Sequence, residues 1–253
     1  RSIMGNRFVI LATPRTGSNM LVSLLDSHPD LACFGELMRP TPEWMLRKGY
    51  RGALTTLERV DPKWRRDSVR FADPEGFVEE VFADLTDQPV VGFKLMLEQH
   101  RRYLLRVLED PRYKKIVLYR ENALAAFSSQ KIAKATGQGN ARIGMQVKRA
   151  KVDFRADEFK RFLKRRQKAY DEIDSALQAN GHSYLAAEYL DLVAGRVTDR
   201  IMDFLGVDPG LAGGAETIKR NPSNLLDRFN NPRDVRAALD QIGRPEWSAE
   251  ALA

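Results

Sequence analysis

The stretch Arg7–Leu25, RFVILATPRTGSNMLVSLL, decides the fold. Arg7–Ala12 is almost wholly apolar and is bounded by Asn6 and Thr13-Pro14, which is how a buried parallel strand reads. Met20, Leu21, Leu24 and Leu25 then share one face of a helix. Thr13–Asn19 joins the two as a tight loop, so several backbone N–H groups at a helix N-terminus converge on one point. Unsatisfied donors and the helix dipole both favour negative charge there. Gly17 permits close approach of a ligand to the backbone, the hydroxyls of Thr16 and Ser18 add donors, and Arg15 supplies a cation inside the loop.

A nucleotide-hydrolysing phosphate loop reads G-x-x-x-x-G-K-[ST]. In the window Ala12–Asn19 only Gly17 is in register. Ala12 replaces the first glycine, Ser18 stands at the lysine position, and Asn19 stands where the magnesium-binding hydroxyl belongs. The loop therefore lacks the parts for a magnesium-triphosphate and reads as a site for a smaller phosphate group, handled without a metal.

Three further strand-like runs follow, Pro89–Met96, Lys115–Tyr119 and Ser183–Tyr189, each short, apolar and closed by turn residues. Helical patterns alternate with them. Asn122–Ala133 has Asn122 as N-cap, and Ala156–Ala179 keeps a 3.6-residue period through Phe159, Phe162, Leu163, Tyr170, Ile173 and Leu177. A helix ends at Leu205 and another spans Pro232–Ile242. This alternation predicts an α/β fold: a mainly parallel central sheet with helices on both faces, three layers in all. Residues 1–253 read as a single domain with an insert at 37–87 and a mobile loop at 135–152.

Composition sets outer limits. Of 253 residues, 43% are hydrophobic and 30% charged, too apolar for global disorder. Lys and Arg number 41 against 34 Asp and Glu, a net charge of +7 that implies anionic ligands or surfaces. The single cysteine, Cys33, excludes an internal disulfide and points to a reducing compartment, hence a cytoplasmic location. No apolar run approaches the roughly 18–20 residues of a transmembrane helix. Opening at Arg1 rather than at a methionine is what a trimmed N-terminus looks like.

The loop PRTGSNMLVSLL resembles the 5′-phosphosulfate loop of the sulfotransferases that use 3′-phosphoadenosine 5′-phosphosulfate (PAPS), usually PR/K-S/T-G-S/T-T-x-L. A second motif of that family is a strand ending in Arg with a Ser eight residues on, both on the donor's 3′-phosphate; IVLYRENALAAFS places Arg120 and Ser128 at that spacing. An arginine at a strand's carboxyl end faces the ligand crevice of an open α/β sheet, and its fork suits a dianion. The segments His28–Glu36, Val90–Met96, Glu188–Leu192 and Phe204–Pro209 are similar to bacterial carbohydrate sulfotransferases of the trehalose and nodulation type.

The resemblance implies a sulfotransferase fold, PAPS as donor with 3′-phosphoadenosine 5′-phosphate (PAP) as product, no metal, and a carbohydrate or glycolipid hydroxyl as acceptor. It maps Arg15 onto the phosphate and bridging oxygen, and Thr16, Gly17, Ser18 and Asn19 onto the phosphate cradle; Lys219 and Arg220 are either a basic loop over the 3′-phosphate or a solvated loop pair. Asn19 departs from the family's usual threonine. In-line sulfuryl transfer needs a general base for the acceptor hydroxyl and cations for the developing charge. Glu36 leads as the base, with His100 next and His28 read as a helix-end residue. Lys94, ending a buried strand, is either a second sulfuryl-stabilising cation or a structural ion-pair partner. Trp44 and Trp64, in the insert, either stack on a sugar or pack. Two other classes remain open: a small-metabolite kinase built on the phosphate loop, and a basic nucleic-acid-binding protein, for which no recognition motif is visible.

Overall fold

The computed structural model describes residues 6–40, 59–84, 87–139, 144–213 and 222–250. In chain order the elements are β1 (Asn6–Ala12), α1 (Ser18–Asp26), β2 (Leu31–Glu36), α2 (Asp67–Ala72), α3 (Pro74–Asp84), β3 (Val90–Met96), α4 (Arg101–Glu109) and β4 (Tyr113–Tyr119). Then come α5 (Ala123–Thr136), α6 (Ala156–Ala179), β5 (Tyr184–Glu188), α7 (Tyr189–Val193), α8 (Thr198–Leu205) and α9 (Pro232–Gln241). The five strands form one parallel sheet in the order β2-β3-β1-β4-β5.

Strand periodicity separates two cores. Phe8, Ile10 and Ala12 of β1, with Ile116 and Leu118 of β4, pack on Leu21, Leu24 and Leu25 of α1 and Ile201, Met202 and Leu205 of α8. Val9, Leu11, Phe93, Leu95 and Val117 face the other way, onto α3, α4 and the inner stripe Ile173 and Leu177 of α6. The expected three layers follow from this division. A third core joins α5 to α9 through Phe127, Phe154, Phe159, Phe229, Val235 and Leu239. β1 is central, and strand order reverses across it, so the loop after β1 opens into the crevice where such sheets bind ligands.

Several expectations need adjusting. β2 (LACFGE) is a strand that hydrophobic patterning does not reveal: among the described residues it is an edge strand paired only with β3, it is rich in small residues, and its register shifts between Phe34 and Glu36. β4 begins at Tyr113, ahead of the expected Lys115, because Tyr113 is buried and pairs with Arg7. Helix α5 continues to Thr136, so Ala135 and Thr136 belong to it and not to the following loop. Beyond it, the Gln138 side chain bonds Gln146 O (3.0 Å) and Lys148 N (2.9 Å). No described helix is long and apolar enough to cross a membrane.

Candidate active site

The loop after β1 is stiffened from within. The buried Thr13 hydroxyl lies 3.1 Å from the Tyr170 hydroxyl, which donates to Leu118 O at 2.8 Å, while Thr16 Oγ1 donates to Thr13 O at 2.9 Å. Thr16 thus spends its hydroxyl inside the loop, and what it offers a ligand is its backbone. Arg15 (φ 70°) and Gly17 (φ 84°) are both left-handed. That conformation costs a non-glycine residue about 1–2 kcal/mol, and it turns the chain so that helix α1 starts immediately. Gly17 caps α1 with no side chain, and no described group accepts from the N–H groups of Gly17, Ser18 or Asn19. Ser18 is buried at the same helix start.

Arg120 ends β4 beside this loop and joins the two sequence motifs, donating from Nη1 to Arg15 O at 3.0 Å. Arg15 Nε donates to Ser129 Oγ at 3.0 Å, one residue past Ser128 on the same helix. Arg120 is buried, stacks 4.1 Å over the Tyr189 ring, and binds Glu250 bidentately, with Nε to Oε1 at 2.7 Å and Nη2 to Oε2. Ser128 is fully buried and accepts from Arg228 Nη1 at 3.0 Å. Burial, and then the charge of Arg120, push the Arg228 guanidinium down to about 10.

On the other side of the loop, Glu36 ends β2 in register with Lys94 of β3. Lys94 Nζ lies 3.1 Å from Glu36 Oε1 and donates to Asn19 Oδ1 of the loop. Gln99 Nε2 donates to Glu36 Oε2 at 2.7 Å. Burial pushes the Glu36 carboxyl up, but Lys94, Arg39 and Gln99 outweigh it and hold the group below its ordinary value. Burial lowers Lys94, against the pull of Glu36. Asn19, at the position of a magnesium-binding hydroxyl, is therefore turned toward a lysine. The Glu36 carboxylate, the Lys94 cation and the loop after β1 form one connected set.

Residues 7–209 match the model of a family described as the sulfotransferase family. The chain belongs to the sulfotransferase family. Among solved structures it is similar to a sulfotransferase from Alicyclobacillus acidocaldarius, at 12% identity and TM-score 0.48, covering 96% of this chain and 98% of that one. It is also similar to the sulfotransferase domain of the Synechococcus PCC 7002 olefin synthase, at 18% identity and TM-score 0.33, covering 92% and 87%. No curated protein matches the chain.

The remaining sulfotransferase candidates sort by what they touch. His100 caps α4, its Nδ1 accepting from Tyr103 N at 3.1 Å, and its Nε2–H donates to Phe71 O at 2.9 Å. With both nitrogens engaged in structure it is not placed as a base. His28 is buried just past α1, bonded to Asp30 N and Asp208 O, as a helix-end residue should be. Trp64 packs on Phe77, ring centroids 5.5 Å apart, and donates to Glu80. Trp44, Lys219 and Arg220 lie outside the described residues.

Four residues of this site escape sequence reading: Ser129, Tyr189, Arg228 and Glu250. Arg228 stands between Asp227 and Phe229 in the stretch Asn224–Asn231, where the adjacent acid and asparagines read as surface, so no local signal marks it. Arg166, half-buried on α6, donates to Thr13 Oγ1 at 3.2 Å and to Arg120 O, bracing the loop against β4.

Proposed function

We propose that this chain transfers a sulfuryl group from PAPS to a hydroxyl of a carbohydrate or glycolipid, within one domain spanning residues 1–253 in the cytoplasm. The observation that carries the donor reading is the buried cluster of Arg120, Arg228 and Ser128. Two guanidinium groups face a single carboxylate, Glu250, and this excess of positive charge suits a phosphate dianion. The N–H groups of Gly17, Ser18 and Asn19, from which no described group accepts, suit the 5′-phosphate side together with Arg15, and the 3.0 Å bond from Arg120 to the Arg15 carbonyl ties this loop to the cluster. The residues present thus fit the donor. When bound, it supplies an activated sulfuryl group. Arg15 and Lys94 would neutralise charge as the sulfur–oxygen bond breaks, and loss of one such donor costs roughly 10²–10³ in rate.

Glu36 is the general base in this reading. It is ionised at neutral pH, and a carboxylate with one partner on each oxygen keeps lone pairs to accept the acceptor's proton. The segments that carry Glu36 and Lys94 are those that resemble bacterial carbohydrate enzymes, which supports that acceptor class. The acceptor elements would be 37–87 and 135–152. The test is calorimetric titration with PAP, without magnesium, on the native chain and Arg120→Ala, followed by an acceptor screen with labelled PAPS. Micromolar binding that collapses in the variant is expected. Absence of binding to the native chain overturns the reading and makes magnesium-ATP the next ligand.

A further inference from the structure

The Arg120 fork is already filled. Glu250 puts one carboxylate oxygen on Nε, at 2.7 Å, and the other on Nη2. Two oxygens side by side on a guanidinium is also how a phosphate binds arginine, so the two anions need the same donors. Glu250 is 3% exposed and belongs to a short strap after α9. The strap is stitched down by its backbone: Glu250 N to Ser223 O (2.8 Å), Leu225 N to Ser248 O (2.9 Å), and Asn122 Nδ2 to Ala249 O (2.9 Å) and Trp247 O (3.2 Å). Trp247 packs against the third core beside it, so opening means releasing these bonds and that contact together.

We infer that Glu250 is an internal competitor for the phosphate-binding arginine, so that a 3′-phosphorylated nucleotide binds only as the strap Pro245–Glu250 opens. The inference rests on the donor site proposed above. Shared donors force the exchange: the Nε and Nη2 that a phosphate would take from Arg120 are the two that Glu250 holds. A dianion beside a retained Glu250 would also set like charges side by side at a buried site, which low-dielectric surroundings penalise. In the ligand-free protein the carboxylate keeps two arginines from facing each other unscreened. When product leaves, its return refills the fork and favours release.

Closing the site reduces apparent affinity by the fraction of molecules with the strap open. If that fraction is about 1–10%, removing the carboxylate tightens binding about 10- to 100-fold. The experiment titrates PAP and adenosine 5′-phosphate, which lacks the 3′-phosphate, into the native chain, Glu250→Gln and Glu250→Ala. Tenfold or greater tightening for PAP, with adenosine 5′-phosphate within twofold, is expected in both variants. PAP affinity that is unchanged or weaker in the variants overturns the inference, while binding to the native chain keeps the donor reading. No PAP binding to any of the three overturns the donor reading itself. Hydrogen exchange on the native chain is the check that needs no variant: PAP must speed exchange across 245–250 while slowing it in the loop 13–19. Slowed exchange in both segments means that the strap stays closed, and the inference fails.

Discussion

Gly17→Ala tests whether the loop's shape, and not only its charge, makes the site. Gly17 has φ 84°, a conformation that costs an alanine about 1–2 kcal/mol. A Cβ built there would stand 2.6 Å from Tyr189 Cδ2 and 3.0 Å from Cε2, so the ring must move. Overpacking of that kind costs about 1–3 kcal/mol, for a total of about 2–5 kcal/mol. In a chain of this size that lowers Tm by about 4–20 °C. The same ring lies under Arg120 at 4.1 Å, so its displacement should also weaken PAP binding. Thermal unfolding of Gly17→Ala, Tyr189→Ala and the double variant separates the two costs. With the ring gone the added methyl has room and only the backbone cost remains, so the coupling should be about 1–3 kcal/mol in the sense that Tyr189→Ala rescues part of the loss. Additive effects within about 0.5 kcal/mol would refute the packing argument.

Arg228→Met should weaken PAP by about 10- to 100-fold while leaving adenosine 5′-phosphate within twofold, since a charge-assisted hydrogen bond contributes about 1.5–3 kcal/mol; equal losses for both nucleotides would show Arg228 to be purely structural. Glu36→Gln should lower turnover about 10²–10⁴-fold with PAP affinity retained, and full activity would remove Glu36 from the role of base. The pH profile gives an independent reading. Because Glu36 is held below its ordinary value, its ionised form and the ion-pair stability it brings persist at neutral pH and are lost only as pH falls through that depressed value, below the ordinary carboxylate range. In Lys94→Met burial acts with its main opponent gone, so the acid limb of the rate should move up in pH; an unmoved limb would assign it to another group.

Much of the fold is legible because periodicity reports burial directly. β1, β3 and β4 are apolar on both faces since helices cover both, and α6 shows its inner stripe through Phe159, Ile173 and Leu177. β2 is hidden for the opposite reason. Its Ala32, Cys33 and Gly35 have small side chains and modest strand preference, and its place in the sheet comes from pairing with β3, a contact between positions some sixty residues apart. The loop and the Arg120–Ser128 spacing are legible because each lies within a few turns of chain. Arg228 and Glu250 reach the same cluster from 100 residues beyond Ser128 and 130 beyond Arg120.

That difference has a physical root. A lone charge in a sequence reads as surface chemistry, because burying it unpaired is costly. What reverses the reading is company, which only the fold supplies. Lys94 is buried because Glu36 and Asn19 meet it, and Arg120 because Glu250 and the Arg15 carbonyl meet it. Arg228 has hydroxyl and carbonyl partners, Ser128 and Pro222, but no carboxylate of its own among the described residues. A buried cation paired only with neutral groups keeps part of its desolvation cost, which is why burial dominates its lowered pKa. An anion entering the cluster offsets that cost, so the same feature that detracts from the stability of the ligand-free protein supplies part of the binding energy. Arg228→Met can therefore raise Tm in the absence of nucleotide while weakening PAP, whereas a residue serving the fold alone would lose stability with and without ligand.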